Sequence, residues 1–259
     1  MKTLGGSLFV YNGNKFDYCY KEAIDSLLAL CDKVSIVDAG SDDGTAQDIE
    51  KHIEPHGDKV VYTRFTNEQW HAQEGCQKLC YFTNAAIDAL DTDWVFNLQA
   101  DEVIHEDSFV HIRNAMEGVF DTYRVRRLNL WKTPAYMLDV SQERKPCSTA
   151  VVRLAKMPSH ALGDAESLAA PNLGIYKDDL DLIQIFHMGF VRDRKKQLKK
   201  MENMMVDIFH WEMDPRAKDC DELIPERFFS DDDIVPIPRP LPRFVQAWAD
   251  ERHPKPPQP

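Results

Sequence analysis

The sequence predicts an α/β fold: a mixed, mainly parallel sheet flanked by helices, with a proline-rich C-terminal extension. Three observations point there. Short apolar runs alternate with stretches of helical periodicity, the pattern of a doubly wound sheet. Those runs end in polar or acidic residues, as strands do when they deliver side chains to a sheet edge. Toward the C-terminus the composition changes, and eight of the last 24 residues are proline.

Taken in order, Leu8-Phe9-Val10 reads as a first strand and Tyr11-Asn12-Gly13-Asn14 as a turn. Tyr18 to Leu30 places Ala23, Ile24, Leu27, Leu28 and Leu30 at helical spacing. Lys33 to Val37 is a second strand, closing in Asp38-Ala39-Gly40-Ser41-Asp42-Asp43-Gly44-Thr45. Gly40 permits a tight backbone there, and Ser41 or Asp42 can cap a helix running from Thr45 to about His52. Val60-Val61-Tyr62 is a third strand. Residues 66–77 are polar and aromatic, either a working loop or a surface connection anchored by Trp70. A helix from about Cys76 to Leu90 leads to the strand at Trp94. Asp43, in Asp-Gly-Thr, reads as a turn or helix-start residue.

The second half is less regular and partly antiparallel. A helix is expected over Glu106–Gly118, and Thr122–Leu130 alternates apolar and basic residues. Ala150–Leu154 is a strand, Ser159–Ser167 a loop with two carboxylates, and Leu182–Phe186 a last strand ending at His187-Met188-Gly189. A basic helix spans about Lys195 to His210. The tail beyond it cannot be helix or central strand through its prolines. The expected organisation is one domain over 1–212, with halves 1–105 and 106–212, and an extension over 213–259 that wraps it through Phe228, Phe229, Phe244 and Trp248.

A chain of 259 residues, 43% apolar and 29% charged, has the material for one full-sized core. No apolar run approaches the ~18 residues that a membrane helix needs, and the N-terminal apolar run is too short for a signal peptide. A cytoplasmic location is expected. The six cysteines are scattered; Cys76 and Cys80 are at helical spacing, not in a metal or redox clip, and reduced core thiols are expected. A net charge of −12 argues against general nucleic-acid affinity, although Arg192 to Lys200 is locally basic. Neither Gly-x-Gly-x-x-Gly nor a P-loop is present, which speaks against a dinucleotide fold and a P-loop NTPase.

The most informative stretch is Asp93-Trp94-Val95-Phe96-Asn97-Leu98-Gln99-Ala100-Asp101-Glu102-Val103-Ile104, an apolar run that breaks off in an acidic pair. In open α/β sheets ligands bind beyond the carboxyl ends of the strands. Carboxylates there suit Mg²⁺ or Mn²⁺; the plainer alternative is a solvated acidic turn.

Two strand-end motifs, Val37 to Thr45 and Leu98-Gln99-Ala100-Asp101-Glu102, together resemble those of the family 2 glycosyltransferases, which have the GT-A (Rossmann-like) fold. The likeness is closest to bacterial and phage members whose metal motif ends in Ala-Asp-Glu. It covers residues 4–105 well, 182–200 moderately and 106–181 in outline, and it does not extend to 212–259. The resemblance implies an inverting, metal-dependent transfer of a sugar from a nucleotide-sugar, a UDP-sugar by preference, to an acceptor hydroxyl. It places the nucleotide at Val10, Asp38, Gln99 and Ala100, and Mn²⁺ or Mg²⁺ at Asp101, with His187 completing the metal or diphosphate site. Glu102 is a second choice of ligand. Gln99 stands where the family carries an acidic residue, and Ala39 departs similarly in the first motif.

Arg192, with Lys195 or Lys196, is expected to neutralise the diphosphate, while Lys199 and Lys200 read as solvated helix residues. Inverting transfer requires a general base for the acceptor hydroxyl; Asp164 and Glu166 are the candidates, Asp164 preferred. The acceptor is a glycan or, for a phage enzyme, a hydroxymethylated DNA base, reached along Arg124–Arg127 and Arg192–Lys200. A sugar-nucleotide-forming nucleotidyltransferase and a non-catalytic nucleotide-binding domain are the alternatives. Leu8 to Lys15 lacks the glycine- and lysine-rich loop that the former would carry.

Overall fold

A computed structural model describes residues 1–139, 149–169, 176–178, 182–192, 194–210 and 234–253. The first half is built as expected from alternating strands and helices. Strands β1 (Leu4–Val10), β2 (Lys33–Asp38), β3 (Val60–Arg64) and β4 (Trp94–Leu98) pair in parallel in the order β4-β1-β2-β3. Helices α1 (Tyr20–Leu30), α2 (Thr45–Ile53) and α4 (Gln77–Asp88) are the crossovers, with a short α3 (Asn67–His71) inside the polar loop before α4. The strands are buried along nearly their whole length apart from β3, so they read as continuous apolar runs. Leu4, Leu8, Ile24, Leu27, Ile36, Trp94 and Phe96 form the main core with α1.

From β4 onward the sheet is mixed. β5 (Glu102–Ile104) is followed by α5 (Ser108–Ala115), β6 (Thr122–Trp131), β7 (Thr133–Leu138) and β8 (Ala150–Lys156). A small pair follows, β9 (His160–Ala161) with β10 (Leu168–Ala169), then β11 (Tyr176–Asp178), β12 (Gln184–Phe190) and α6 (Arg194–Glu202). β8 lies antiparallel between β4 and β6, whereas β12 runs parallel to β6 and antiparallel to β5. His187 therefore lies inside a strand, not beyond one, because β12 extends four residues further than the apolar run alone indicates. α6 passes into a π-type turn, Asn203–Ile208.

β13 (Ile234–Pro236) pairs antiparallel with β7, and α7 (Gln246–Arg252) buries Trp248 and Ala249 against Val103, Leu130 and Phe186, with Phe244 packed beside them. The proposed anchors Phe228 and Phe229 lie outside the described residues, as do Cys147 and Cys220. Cys19, Cys31, Cys76 and Cys80 are free thiols. No helix among the described residues is long and apolar enough to cross a membrane.

The turn after β2 differs from expectation in how α2 begins. Neither Ser41 nor Asp42 caps it; Gly44 is the N-cap at φ +91°, and Asp43 accepts hydrogen bonds from the Thr45 amide and hydroxyl. Asp43 also accepts from the Lys15 amide, and so ties this turn to the loop after β1. Gly40 has φ +90°, and a Cβ there would lie 2.4 Å from the Thr66 carbonyl oxygen. Gly40→Ala therefore meets both a left-handed backbone and a main-chain clash. It is expected to cost roughly 2 kcal/mol or more, read as a lower melting temperature; an unchanged one would mean that the loops separate freely.

Candidate functional site

β1, β2 and β4 are parallel, so Val10, Asp38 and the Gln99-Ala100-Asp101 turn come out at one edge of the sheet. α/β folds use this end of the strands for ligands. Val10 faces Asp38 in register and accepts the Ala39 amide. Asp38 is fully buried; its Oδ2 accepts from the Ser41 amide at 3.2 Å, with Arg64 Nε at 3.9 Å. Among the described residues its Oδ1 has no partner. Burial pushes this carboxyl above its ordinary value, against the Ser41 hydrogen bonds. A buried carboxylate oxygen with nothing to accept is costly unless a ligand supplies the donor.

The neighbouring loop explains Trp70. Its ring stacks on Tyr11 at 3.9 Å between centroids and on Phe82 at 5.4 Å, with Lys78 Nζ 5.2 Å from its centroid. Asn67 Nδ2 donates to the Gly40 carbonyl. The 66–77 stretch is thus joined to the Gly40 turn through Asn67 and to the end of β1 through Trp70.

At the end of β4 the side chains converge on Asp101, only 4% exposed. Lys200 Nζ donates to Asp101 Oδ2 at 2.7 Å and Arg192 Nη2 to the same oxygen at 3.3 Å. His187 Nε2 lies 3.6 Å from Asp101 Oδ1. Burial would raise the Asp101 carboxyl, but Lys200, His187 and Arg192 outweigh it and hold it well below the usual range. Burial lowers the His187 pKa against the pull of Asp101, so the imidazole is neutral at pH 7. His187 Nδ1 is 2.7 Å from Asn129 Oδ1. Register makes this convergence: Glu102, His187 and Asn129 are cross-strand partners on β5, β12 and β6.

Gly189 is part of the same device. A Cβ at this position would lie 2.3 Å from His187 Nε2 and Cε1, so the imidazole occupies the space that any side chain would fill. The His-x-Gly spacing thus has a steric cause.

Glu102 is directed elsewhere. It is fully buried, its Oε1 pairs with Arg153 Nη2 at 2.7 Å and lies 3.6 Å from Arg127 Nη1, and its Oε2 accepts the Gln99 amide. Burial raises its pKa, but Arg153 and Arg127 lower it more. Arg127 Nη2 reaches Glu166 Oε1 at 2.6 Å. Glu166 is thereby engaged by a guanidinium, while Asp164 is half-buried and accepts the Glu166 amide through Oδ1.

Of the residues singled out in the sequence, Asp101, His187 and Arg192 come together, and Val10, Asp38, Gln99 and Ala100 share their sheet edge. Lys200 is a correction: its side chain is 13% exposed and ion-paired, not solvated. Lys196 pairs with Asp17 at 3.2 Å, whereas Lys195 and Lys199 are exposed. Arg127 is also turned inward, so it does not form an outer basic path. From the sequence no role falls to Asn129 or Arg153, and Arg127 and Lys200 are placed only on a path for DNA. The four-residue interval between Lys196 and Lys200, which puts both on one helical face, was the available signal for Lys200.

Asp101 Oδ1 and His187 Nε2 fit a divalent cation as half a site, with oxygens of a bound ligand needed for the rest. Among the described residues no three His, Cys, Asp or Glu side chains form a metal-holding group.

No protein-family model matches the chain, and no curated protein matches it. Solved structures similar to it include S. aureus TarS 1–349, at TM-score 0.47 and 14% identity over 85% of this chain and 68% of that one. The same fragment in complex with UDP gives 0.48 and 15% over 85% and 69%. A further S. aureus TarS structure gives 0.46 and 14% over 85% and 42%.

Proposed function

We propose that the chain is an inverting glycosyltransferase that moves a sugar from a nucleotide-sugar, a UDP-sugar by preference, to an acceptor hydroxyl. The observation that carries this reading is the pair of poised groups at one sheet edge. Asp38 offers a buried, unpartnered acceptor, and the Asp101 cluster offers two cations beside a neutral histidine. An imide N–H of a uracil-type base satisfies Asp38 Oδ1. Arg192 and Lys200 bind the diphosphate, whose negative charge grows as the bond to the anomeric carbon breaks. A divalent cation at Asp101 and His187 would add Lewis-acid charge to that leaving group.

Asp164 is the base in this reading. It takes the proton of the acceptor hydroxyl as that oxygen attacks the anomeric carbon. Glu166 is the weaker candidate, because its ion pair with Arg127 opposes proton uptake. The inward use of Arg127, Arg192 and Lys200 supports a glycan acceptor over modified DNA.

The test is release of nucleoside diphosphate from UDP-, GDP-, CDP- and ADP-sugars with Mn²⁺, with Asp101→Ala as control. Turnover of a UDP-sugar that the variant lacks is expected. Absence of both turnover and binding for every sugar nucleotide would overturn the reading. Gly189→Ala is expected to keep the fold but displace the His187 imidazole. Transfer then falls on the order of 10²-fold, the usual cost of about an ångström of misplacement; unchanged transfer with an unchanged circular dichroism spectrum would remove His187 from the site.

A further inference from the structure

We infer that Arg252, on the C-terminal helix α7, positions the loop after β1 through Asp17 and so sets the geometry of the site. The inference rests on the nucleotide-sugar reading above and names residues on which that site depends. Residues 212–259 lie outside the resemblance to the family 2 glycosyltransferases, which therefore gives α7 no part in the site.

Residues 11–18 join the two halves of the site. At their start the Asn12 amide donates to Ser41 Oγ, and Asn12 Oδ1 accepts from the Asp42 amide. Both partners belong to the turn after β2, where the Ser41 amide donates to Asp38. At their end the Phe16 carbonyl accepts from Arg192 Nη1, whose Nη2 reaches Asp101. A shift of this loop therefore moves the surroundings of Asp38 and Asp101 together. The loop does not hold its path by local preference alone. Asn12 and Asp17 have φ +51° and +55°. Such left-handed residues persist where the surrounding contacts fix them, and they cluster at functional sites.

At Asp17 the fixing contacts come from the C-terminal half. Arg252 takes the buried carboxylate side-on, Nη2 donating to Oδ1 at 2.7 Å and Nε to Oδ2 at 3.2 Å. Two points of contact fix direction as well as distance, which a single ammonium does not. Lys196, on α6, adds an ammonium 3.2 Å from Oδ1, but its side chain is half exposed. Burial would raise the Asp17 carboxyl; Arg252 and Lys196 hold it below its ordinary value, so the pair is charged at neutral pH. Arg252 is itself fixed. Its guanidinium lies 4.2 Å from the Trp248 ring centroid, and Nη1 donates to the Trp248 carbonyl and to Glu251. Trp248 in turn is buried in one cluster with Cys19, Phe186 and Met188. Cys19 follows the loop, and Phe186 and Met188 flank His187 on β12. α7 therefore backs the strand that carries the imidazole and braces the loop that joins Asp38 to Asp101.

The experiment combines amide hydrogen exchange with calorimetric titration of UDP and GDP in Mn²⁺, on the full chain as wild type, Arg252→Met, Arg252→Lys and Asp17→Asn. The amides of Asn12, Lys15, Phe16 and Tyr18 are all hydrogen-bonded, to Ser41, Asp43, Asn12 and Gly13. In Arg252→Met they are expected to exchange about tenfold faster or more while β2 keeps its protection, the mark of a local opening. UDP affinity is expected to fall about tenfold with them, the scale of coupling between residues in one network. Arg252→Lys keeps the charge but not the two-point contact, and should recover part of both losses. Asp17→Asn removes the ion pair and keeps a residue that tolerates positive φ, so it carries the test where Arg252→Met fails to fold. Unchanged exchange over residues 11–18 overturns the inference, as does acceleration that spreads to β2 in every variant. Faster exchange in the loop with wild-type UDP affinity overturns it too, and leaves α7 as a tether beside an intact nucleotide site. A wild type that binds neither UDP nor GDP overturns the nucleotide-sugar reading, whereas the exchange arm needs no ligand and decides the brace by itself.

Discussion

Glu102→Ala is expected to destabilise the protein by about 3–5 kcal/mol, the usual cost of removing one partner from a buried ion pair. Glu102 and Arg153 are both fully buried, and the Arg127 side chain is only 5% exposed. Alanine would leave the buried Arg153 guanidinium without the carboxylate that neutralises it, beside an Arg127 that keeps Glu166, and the Gln99 amide without its acceptor. At roughly 2–4 °C per kcal/mol for a chain of this size, the melting temperature falls by about 10 °C. Glu102→Ala/Arg153→Met should recover part of the loss, since removing both charges costs less than stranding one. A shift of less than about 3 °C for the single variant would show that water reaches this network, contrary to its burial.

The same pair sets an acid limb. The Glu102 carboxyl is held below its ordinary value by Arg153 and Arg127, despite burial. A carboxyl depressed in the folded state contributes stability that is complete above its unfolded pKa of about 4.3 and lost as pH falls through the lower folded value. The wild type should therefore lose stability steeply below pH about 4, and Glu102→Ala should show a shallower loss over that window in chemical denaturation.

What the sequence disclosed follows from which interactions are local. The parallel half was legible because each strand is a continuous apolar run and each crossover has its own periodicity, as with Lys33–Asp38 and Tyr20–Leu30. Asp38 and Asp101 were legible because they close apolar runs at strand ends. Glu102 follows Asp101 directly, yet its role was hidden: its partners Arg153 and Arg127 are 51 and 25 residues away and meet it only through the β8 and β6 registers. β7 and β13 were missed for a related reason. Thr133–Leu138 contains Pro134 and two exposed residues, so it lacks a strong pattern, and β13, the edge strand beside it, is only three residues long. Lys200 was read as solvated because its neighbours Lys195 and Lys199 are, and a run of like charges conceals the one face that turns inward.

Asp101→Asn is expected to lower sugar transfer by about 10²–10³-fold, comparable to losing a preorganised charge contact at a developing negative charge. Asparagine preserves shape, removes the charge and turns one acceptor oxygen into an NH₂ donor. Lys200 and Arg192 would then repel one another with no carboxylate between them, and His187 Nε2 would face an amide. The structural part of this loss can be separated from the chemical part. Asp101→Asn/Lys200→Met removes one cation with the anion, so it should regain stability but not transfer, because the diphosphate loses a ligand. If instead the double variant recovers transfer along with melting temperature, Asp101 serves only to neutralise Lys200. If Asp101→Asn alone retains transfer within about tenfold, the cations hold their positions without it, and the poised geometry at the end of β4 belongs to Arg192 and its backbone anchors at Phe16 and Met188.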